Sequence, residues 1–205
     1  MEKFFALPPE KQKRIIDGAL TVFGRNVYRK ASAGDIAVAA GISKGMIFHY
    51  FGSKKDLYFY LIEFCGKLLT GEMEKRLDKN VTDFFDKLKL TTEIQISVMK
   101  QHPALLSFLR NVFFETDPEV ESEIKKTTSA GVASTQGMMI EGVDLTKFKD
   151  GADPALLLKL LTWASEGLVN TMPMGVSAED LDVHMADFYK CLDFMKNNFY
   201  KGEYL

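Results

Sequence analysis

At 205 residues, with 46% hydrophobic content and a formal net charge of −2, the chain holds enough apolar material for a small module and a larger helical domain. No apolar run reaches the roughly 18 residues that a membrane-spanning helix needs, and the N-terminal stretch MEKFFALPPEKQKR lacks the apolar core of a secretion signal. Two cysteines, Cys65 and Cys191, read as reduced thiols rather than a disulfide framework, so a cytoplasmic location is expected.

The near-neutral total conceals a split. Residues 1–57 carry ten Lys or Arg against five Asp or Glu, a net of +5. Residues 58–205 carry sixteen against twenty-three, a net of −7. A basic segment favours a polyanionic partner, and an acidic body discourages indiscriminate sticking. Uneven surface charge without a partner is the bland alternative.

In chain order, the first predicted helix follows Pro8-Pro9, with Pro near its first turn. Ile15, Ile16, Ala19, Leu20 and Phe23 form its apolar stripe. Ser32 and Asp35 then make a capping box. The short helix that follows carries Ile36, Ala37, Ala39 and Ala40, and Gly41 supplies the left-handed residue that ends it. Ser43 is placed to cap a second helix, Lys44 to Tyr50, which Gly52 terminates. Ser53 and Asp56 box a third, running through Leu57, Leu61, Phe64 and Leu68 to about Leu77. Two helices separated by Gly41, Ile42 and Ser43 have helix-turn-helix spacing, which can set the second helix in the major groove of DNA. On spacing alone, an ordinary helical hairpin in an all-helical core reads the same way.

After Lys79-Asn80, Thr82 is expected to cap a helix to about Lys100, and His102-Pro103 breaks it. The next carries Leu105, Leu106, Phe108, Leu109, Val112 and Phe113. Asp117-Pro118 opens a helix ending near Ile140, and residues 142–153 read as a loop. Asp153-Pro154 opens an apolar helix to about Thr171, ended by Pro173 and Gly175. Ser177 and Asp180 box the last helix, to about Phe199. No stretch shows a strand pattern, so the fold class is all-α.

The last two helices point to association. Leu181, Met185, Phe188, Leu192, Met195 and Phe199 alternate by four and three, forming a seam for another helix. The preceding helix has two apolar stripes, Leu156, Leu160, Trp163 and Gly167 on one side, Leu157, Leu161, Ala164 and Leu168 on the other. One can face its own domain while the other meets a partner; burial of both within one subunit is the alternative.

From about Ile15 to about Ile62 the sequence resembles the DNA-binding domain of the TetR family of transcriptional regulators. The resemblance is carried by Phe23, Ser32, Asp35-Ile36-Ala37, Ala40-Gly41-Ile42-Ser43-Lys44-Gly45, His49-Tyr50-Phe51, Ser53-Lys54 and Leu57. Val27 stands where the family usually has Gly, and Phe48 where it usually has Tyr. The remainder resembles the family in length and helical character. The resemblance implies an N-terminal three-helix DNA-binding domain over residues 1–57 and a C-terminal helical ligand-binding and dimerisation domain over 58–205. It implies a repressor that binds a pseudo-palindromic double-stranded DNA operator as a homodimer, through its two C-terminal helices. A small, largely apolar effector would release it by moving the helix 54–77. A DNA-binding architectural protein with no effector is the alternative.

Within the helix from Lys44, Lys44 and His49 are the candidates for base-edge contacts, Met46 for a thymine methyl, and Gly45 for close backbone approach. Ser32, Tyr50 and Lys54 match family positions that usually meet phosphates, Lys54 with help from the amides of the helix beginning at Ser53. In the second domain Met99, Phe113 and Trp163 suit an apolar cavity, with His102, Glu166 and Asn170 as polar anchors. The same side chains equally build a helical core. There is no GxGxxG, P-loop, GxSxG or HExxH. His49, His102 and His184 lack metal-ligand spacing. No enzyme chemistry, metal or cofactor is therefore expected.

Overall fold

A computed structural model describes residues 1–172 and 180–205. Its α-helices are α1 (Glu2–Phe5), α2 (Pro9–Arg25), α3 (Ala33–Ala40), α4 (Lys44–Phe51), α5 (Lys54–Arg76), α6 (Phe84–Gln101), α7 (Pro103–Phe113), α8 (Glu121–Ile140), α9 (Pro154–Thr171) and α10 (Asp180–Phe199). Among the described residues the only extended pairing is an isolated antiparallel bridge between Phe148 and Tyr200. The fold is all-α, as expected. The expected helix end at Pro173 and Gly175, and the Ser177 box, lie outside the described residues. Among those described, no helix is long and apolar enough to cross a membrane.

The caps largely follow local chemistry. Asp153 caps α9, its Oδ1 accepting from the amides of Ala155 and Leu156 at 2.9 and 3.1 Å. At the start of α6 the cap is Asp83, not Thr82. Asp83 Oδ1 accepts from the amides of Phe85 and Asp86, each at 3.1 Å. The Thr82 carbonyl instead accepts from the Asp144 amide at 2.8 Å, which pins the loop after α8. That loop is also more ordered than its composition indicates: residues 145–147 form a 3₁₀ turn held by Asp144.

Packing divides the chain into two compact units, Met1–Leu68 with His102–Ala130, and Leu69–Gln101 with Gly131–Leu205. The expected division at residue 57 follows charge and motif; these units follow contact. The first unit takes in α7 and the start of α8 as well as the helix-turn-helix.

In the first unit α2 is central and buries the predicted stripe of Ile15, Ile16, Ala19, Leu20 and Phe23. Gly18 lets α3 come close: a Cβ there would stand 2.7 Å from the Ala40 amide nitrogen. The C-terminus of α2 is closed without a left-handed residue, and no non-glycine among the described residues has a positive φ. Instead Asn111 Nδ2 on α7 donates to the carbonyls of Phe23 and Gly24 at 2.8 and 2.9 Å, and Asn26 Nδ2 donates to the Val22 carbonyl at 2.9 Å. These bonds take the place of the glycine that Val27 displaces, because a helix end must find donors for its last carbonyls somewhere. Cys65 is buried here, and burial pushes its thiol up to about 12.

The second unit is built around Phe84, Phe85 and Leu88 of α6, Phe148, Leu157, Leu158 and Leu161 of α9, Leu192 of α10, and Tyr200. Phe188, Met195 and Phe199 pack against this core. The seam on α10 is therefore used within its own unit. On α9 the Leu157 and Leu161 side faces the core, while Leu156, Leu160 and Trp163 are 51%, 41% and 53% exposed. Cys191, on α10, is exposed.

Candidate nucleic-acid interface

Gly41 ends α3 at φ 63°, and the Ile42 amide donates back to the Ala37 carbonyl at 3.0 Å. Ser32 Oγ accepts from the Asp35 amide at 3.0 Å and donates to Asp35 Oδ2 at 2.6 Å. Ser53 and Asp56 repeat both bonds at the same distances. Both predicted capping boxes thus form. Ser43 holds the N-cap position of α4 without a side-chain cap bond.

α4 has two faces. Ile47, Tyr50 and Phe51 are buried. Lys44, Gly45, Phe48 and His49 are exposed, and Met46 is half-buried. Positions four apart on a helix are neighbours, so Lys44 with Phe48 and Gly45 with His49 make one contiguous outward surface. Phe48 was noted from sequence only as a departure from the family's usual Tyr and not as a candidate DNA contact, although its spacing from Lys44 places it on this surface. The Lys44 ammonium makes no ion pair among the described residues, and neither do the exposed Arg29 and Lys30 in the loop before α3.

The inward face of α4 rests on α1, an element that sequence periodicity missed because it is a single turn. Phe4 is fully buried, with its ring 4.8 Å from Phe51, 5.5 Å from Tyr60 and 6.3 Å from Tyr50. Gln12 Nε2 ties α1 to α2 by donating to the carbonyls of Phe5 and Leu7 at 3.1 and 2.7 Å. Tyr50 is therefore a packing residue of the module as well as a family-matched position.

Lys54 is engaged internally. Its Nζ donates to the Tyr28 carbonyl at 2.9 Å and lies 4.0 Å from the centre of the Tyr28 ring. The Tyr28 amide donates to Glu115 at 2.7 Å and its hydroxyl to Glu119 at 2.9 Å. Burial, then the Glu119 hydrogen bond, raises the Tyr28 phenol above its ordinary pKa. Every polar group of Tyr28 is thus fixed, and with it the loop that carries Arg29 and Lys30. Nearby, Lys55 pairs with Glu123 at 2.8 Å.

The residues expected to meet a small ligand are divided between the two units. His102, half-buried at the N-cap of α7, and the exposed Phe113 belong to the first unit. Met99 and Glu166, both half-buried, and the exposed Trp163 and Asn170 belong to the second. The second unit holds a cavity of about 410 Å³ lined by Met73, Glu74, Leu77, Lys79, Lys87, Met138, Glu141 and Gly142. None of the six candidates lines it. Its residues come from three helix ends far apart in sequence, so no local pattern announces it.

Residues 15–61 match the family described as bacterial regulatory proteins, tetR family. Over 184 residues the chain is 26% identical to the fatty acid metabolism regulator protein of Bacillus subtilis (strain 168), covering 83% of this chain and 90% of that one. A solved TetR family transcriptional regulator from Chloroflexus aurantiacus J-10-FL shares the fold with a TM-score of 0.71 at 22% identity, over 98% of both chains. The fatty acid degradation regulator FadR from Bacillus halodurans shares it with a TM-score of 0.64 at 19% identity, over 90% of this chain and 95% of that one. Taken with the helix-turn-helix that α3 and α4 form, these likenesses identify residues 15–61 as a DNA-binding module of the tetR family type and show that the whole chain is similar in sequence and fold to TetR-family transcriptional regulators.

Proposed function

We propose that the protein is a ligand-responsive repressor that binds a pseudo-palindromic operator as a homodimer. The observation that carries this reading is the outward surface of α4, where Lys44, Gly45, Phe48 and His49 stand exposed on a segment of net charge +5. In this reading α4 enters the major groove, Lys44 and His49 meet base edges, Met46 and Phe48 meet thymine methyls, and Gly45 admits the DNA backbone. Ser32 meets phosphate beside the basic loop of Arg29 and Lys30. Tyr50 and Lys54 hold the surface in shape from behind. Two copies read half-sites about one DNA turn apart (~34 Å). The exposed Leu156, Leu160 and Trp163 stripe of α9, with α10, is the face offered to the second copy.

The names of the Bacillus subtilis and Bacillus halodurans relatives place those proteins in fatty acid metabolism and degradation. By analogy, the effector here carries an aliphatic chain. Such a ligand acts only through its differential affinity for the DNA-bound and released states. A hundredfold loss of operator affinity needs ~2.7 kcal/mol of coupling, and the helix 54–76 is the element proposed to carry it.

Selection of bound duplexes from a random pool tests the reading. It should return a two-fold symmetric site whose affinity falls steeply with salt. Lys44→Ala should weaken that site by about 1–3 kcal/mol and relax preference at one base position. Recovery of no preferred sequence, or equal losses on selected and random duplexes, would count against a major-groove role for α4.

A further inference from the structure

The cavity of the second unit contains a side chain that packing does not explain. Lys87 on α6 is only 4% exposed, yet it lines that cavity beside the apolar Met73, Leu77 and Met138. Its Nζ donates to the Glu141 carbonyl oxygen. Among the described residues no carboxylate pairs with it at ion-pair distance. A lysine ammonium has three protons to donate, and the bond to Glu141 uses one. Burying a cation without a counter-charge is costly, and removing that cost requires a paired and hydrogen-bonded anion. Burial pushes the Lys87 pKa down, with the Glu141 charge opposing that shift. The two acids on the lining, Glu74 and Glu141, are exposed and solvated, as is Lys79. Lys87 is thus the one charged group of the lining held out of water. The volume of about 410 Å³ lies within the range of small-molecule sites, and Met side chains adapt readily to a flexible tail.

We propose that this cavity binds the carboxylate head of an amphipathic aliphatic ligand, with Lys87 as its counter-ion and Met73, Leu77 and Met138 against the adjoining methylenes. The inference rests on the ligand-responsive reading above and gives it a site and a head-group chemistry. Neither the net charge of the unit nor the candidates named from sequence point to this position.

The test is calorimetry on the full chain with three probes of one tail length, dodecanoate, 1-dodecanol and dodecylammonium, each below its aggregation limit. Dodecanoate should bind at least tenfold more tightly than dodecanol, and dodecylammonium should show no measurable binding. Lys87→Met, which keeps the stem and removes the charge, should bring dodecanoate down to the affinity of dodecanol. Unchanged dodecanoate affinity in that variant, or no dodecanoate binding to the parent protein, overturns the proposal. Should Lys87→Met not fold, Met138→Trp decides. It narrows the cavity and should exclude dodecanoate, and parental affinity in that variant overturns the site.

Operator release measured on the same proteins separates this inference from the reading beneath it. Release by another compound, unaffected by Lys87→Met, with no dodecanoate binding, leaves the ligand-responsive repressor standing and overturns the Lys87 site. Dodecanoate binding that depends on Lys87 without any change in operator affinity supports the site and overturns ligand response through it.

Discussion

Individual side chains in this protein serve several partners at once, and Asp83 shows it most clearly. It caps α6 and pairs with Lys147 at 2.9 Å and Lys196 at 3.3 Å. Burial alone would raise its carboxyl; the Lys147 hydrogen bond, the Asp86 amide and the Lys196 charge outweigh burial and hold it below the usual range. A carboxylate with a depressed folded pKa adds stability that is fully present above ~3.9 and is lost as pH falls through the lower folded value. Asp83→Asn should therefore cost about 1–3 kcal/mol at neutral pH and flatten the acid limb of the urea-midpoint profile below about pH 5. An acid limb as steep as the parent's would remove Asp83 from that role. Lys54 changes meaning at this scale too. With its ammonium on the Tyr28 carbonyl, Lys54→Met should lower stability by about 1.5–3 kcal/mol and weaken all DNA binding while leaving the salt slope nearly unchanged. A slope reduced by about one would mark a direct phosphate contact instead.

At the scale of elements, most of the architecture was legible because helices announce themselves through spacing and caps. The capping boxes at Ser32 and Ser53, the left-handed Gly41 and the break at His102-Pro103 are all local chemistry, and all appear where expected. What was not legible is what each face packs against. The α10 seam of Leu181, Met185, Phe188, Leu192, Met195 and Phe199 reads as a stripe for a neighbour, but periodicity does not say whether that neighbour is in the same subunit. The Asn111 bonds to the end of α2 span 88 and 87 residues, beyond the reach of any motif. The outward surface of α4 was readable, since Lys44, Gly45 and His49 follow from the motif and Phe48 from its spacing to Lys44, whereas the internal engagement of Lys54 needed coordinates. Gly18 also escaped notice, being one glycine in an otherwise regular helix. Its substitution by Ala should force α3 away from α2, because the new Cβ would meet the Ala40 and Ala39 backbone within 3.0 Å. We expect a loss of about 1–3 kcal/mol together with weakened operator binding. Parental stability and DNA affinity for that variant would show that the helices separate freely.

For the molecule as a whole, the two cysteines differ in a way that can be put to use. Cys65 is sealed in the first unit with its thiol raised to about 12, whereas Cys191 is exposed on α10. The thiolate is the form that reacts with alkylating reagents, so a maleimide should label the folded chain once, at Cys191. Under the proposed assembly α10 is covered by the second copy, and labelling should slow as protein concentration rises through the dimerisation midpoint found by sedimentation. A rate that stays constant across that range would place the contact elsewhere. The same asymmetry makes the natural sequence its own reporter: a single dye per subunit, attached without engineering, would turn pairing of two copies into a distance that fluorescence can follow during titration with DNA or lipid.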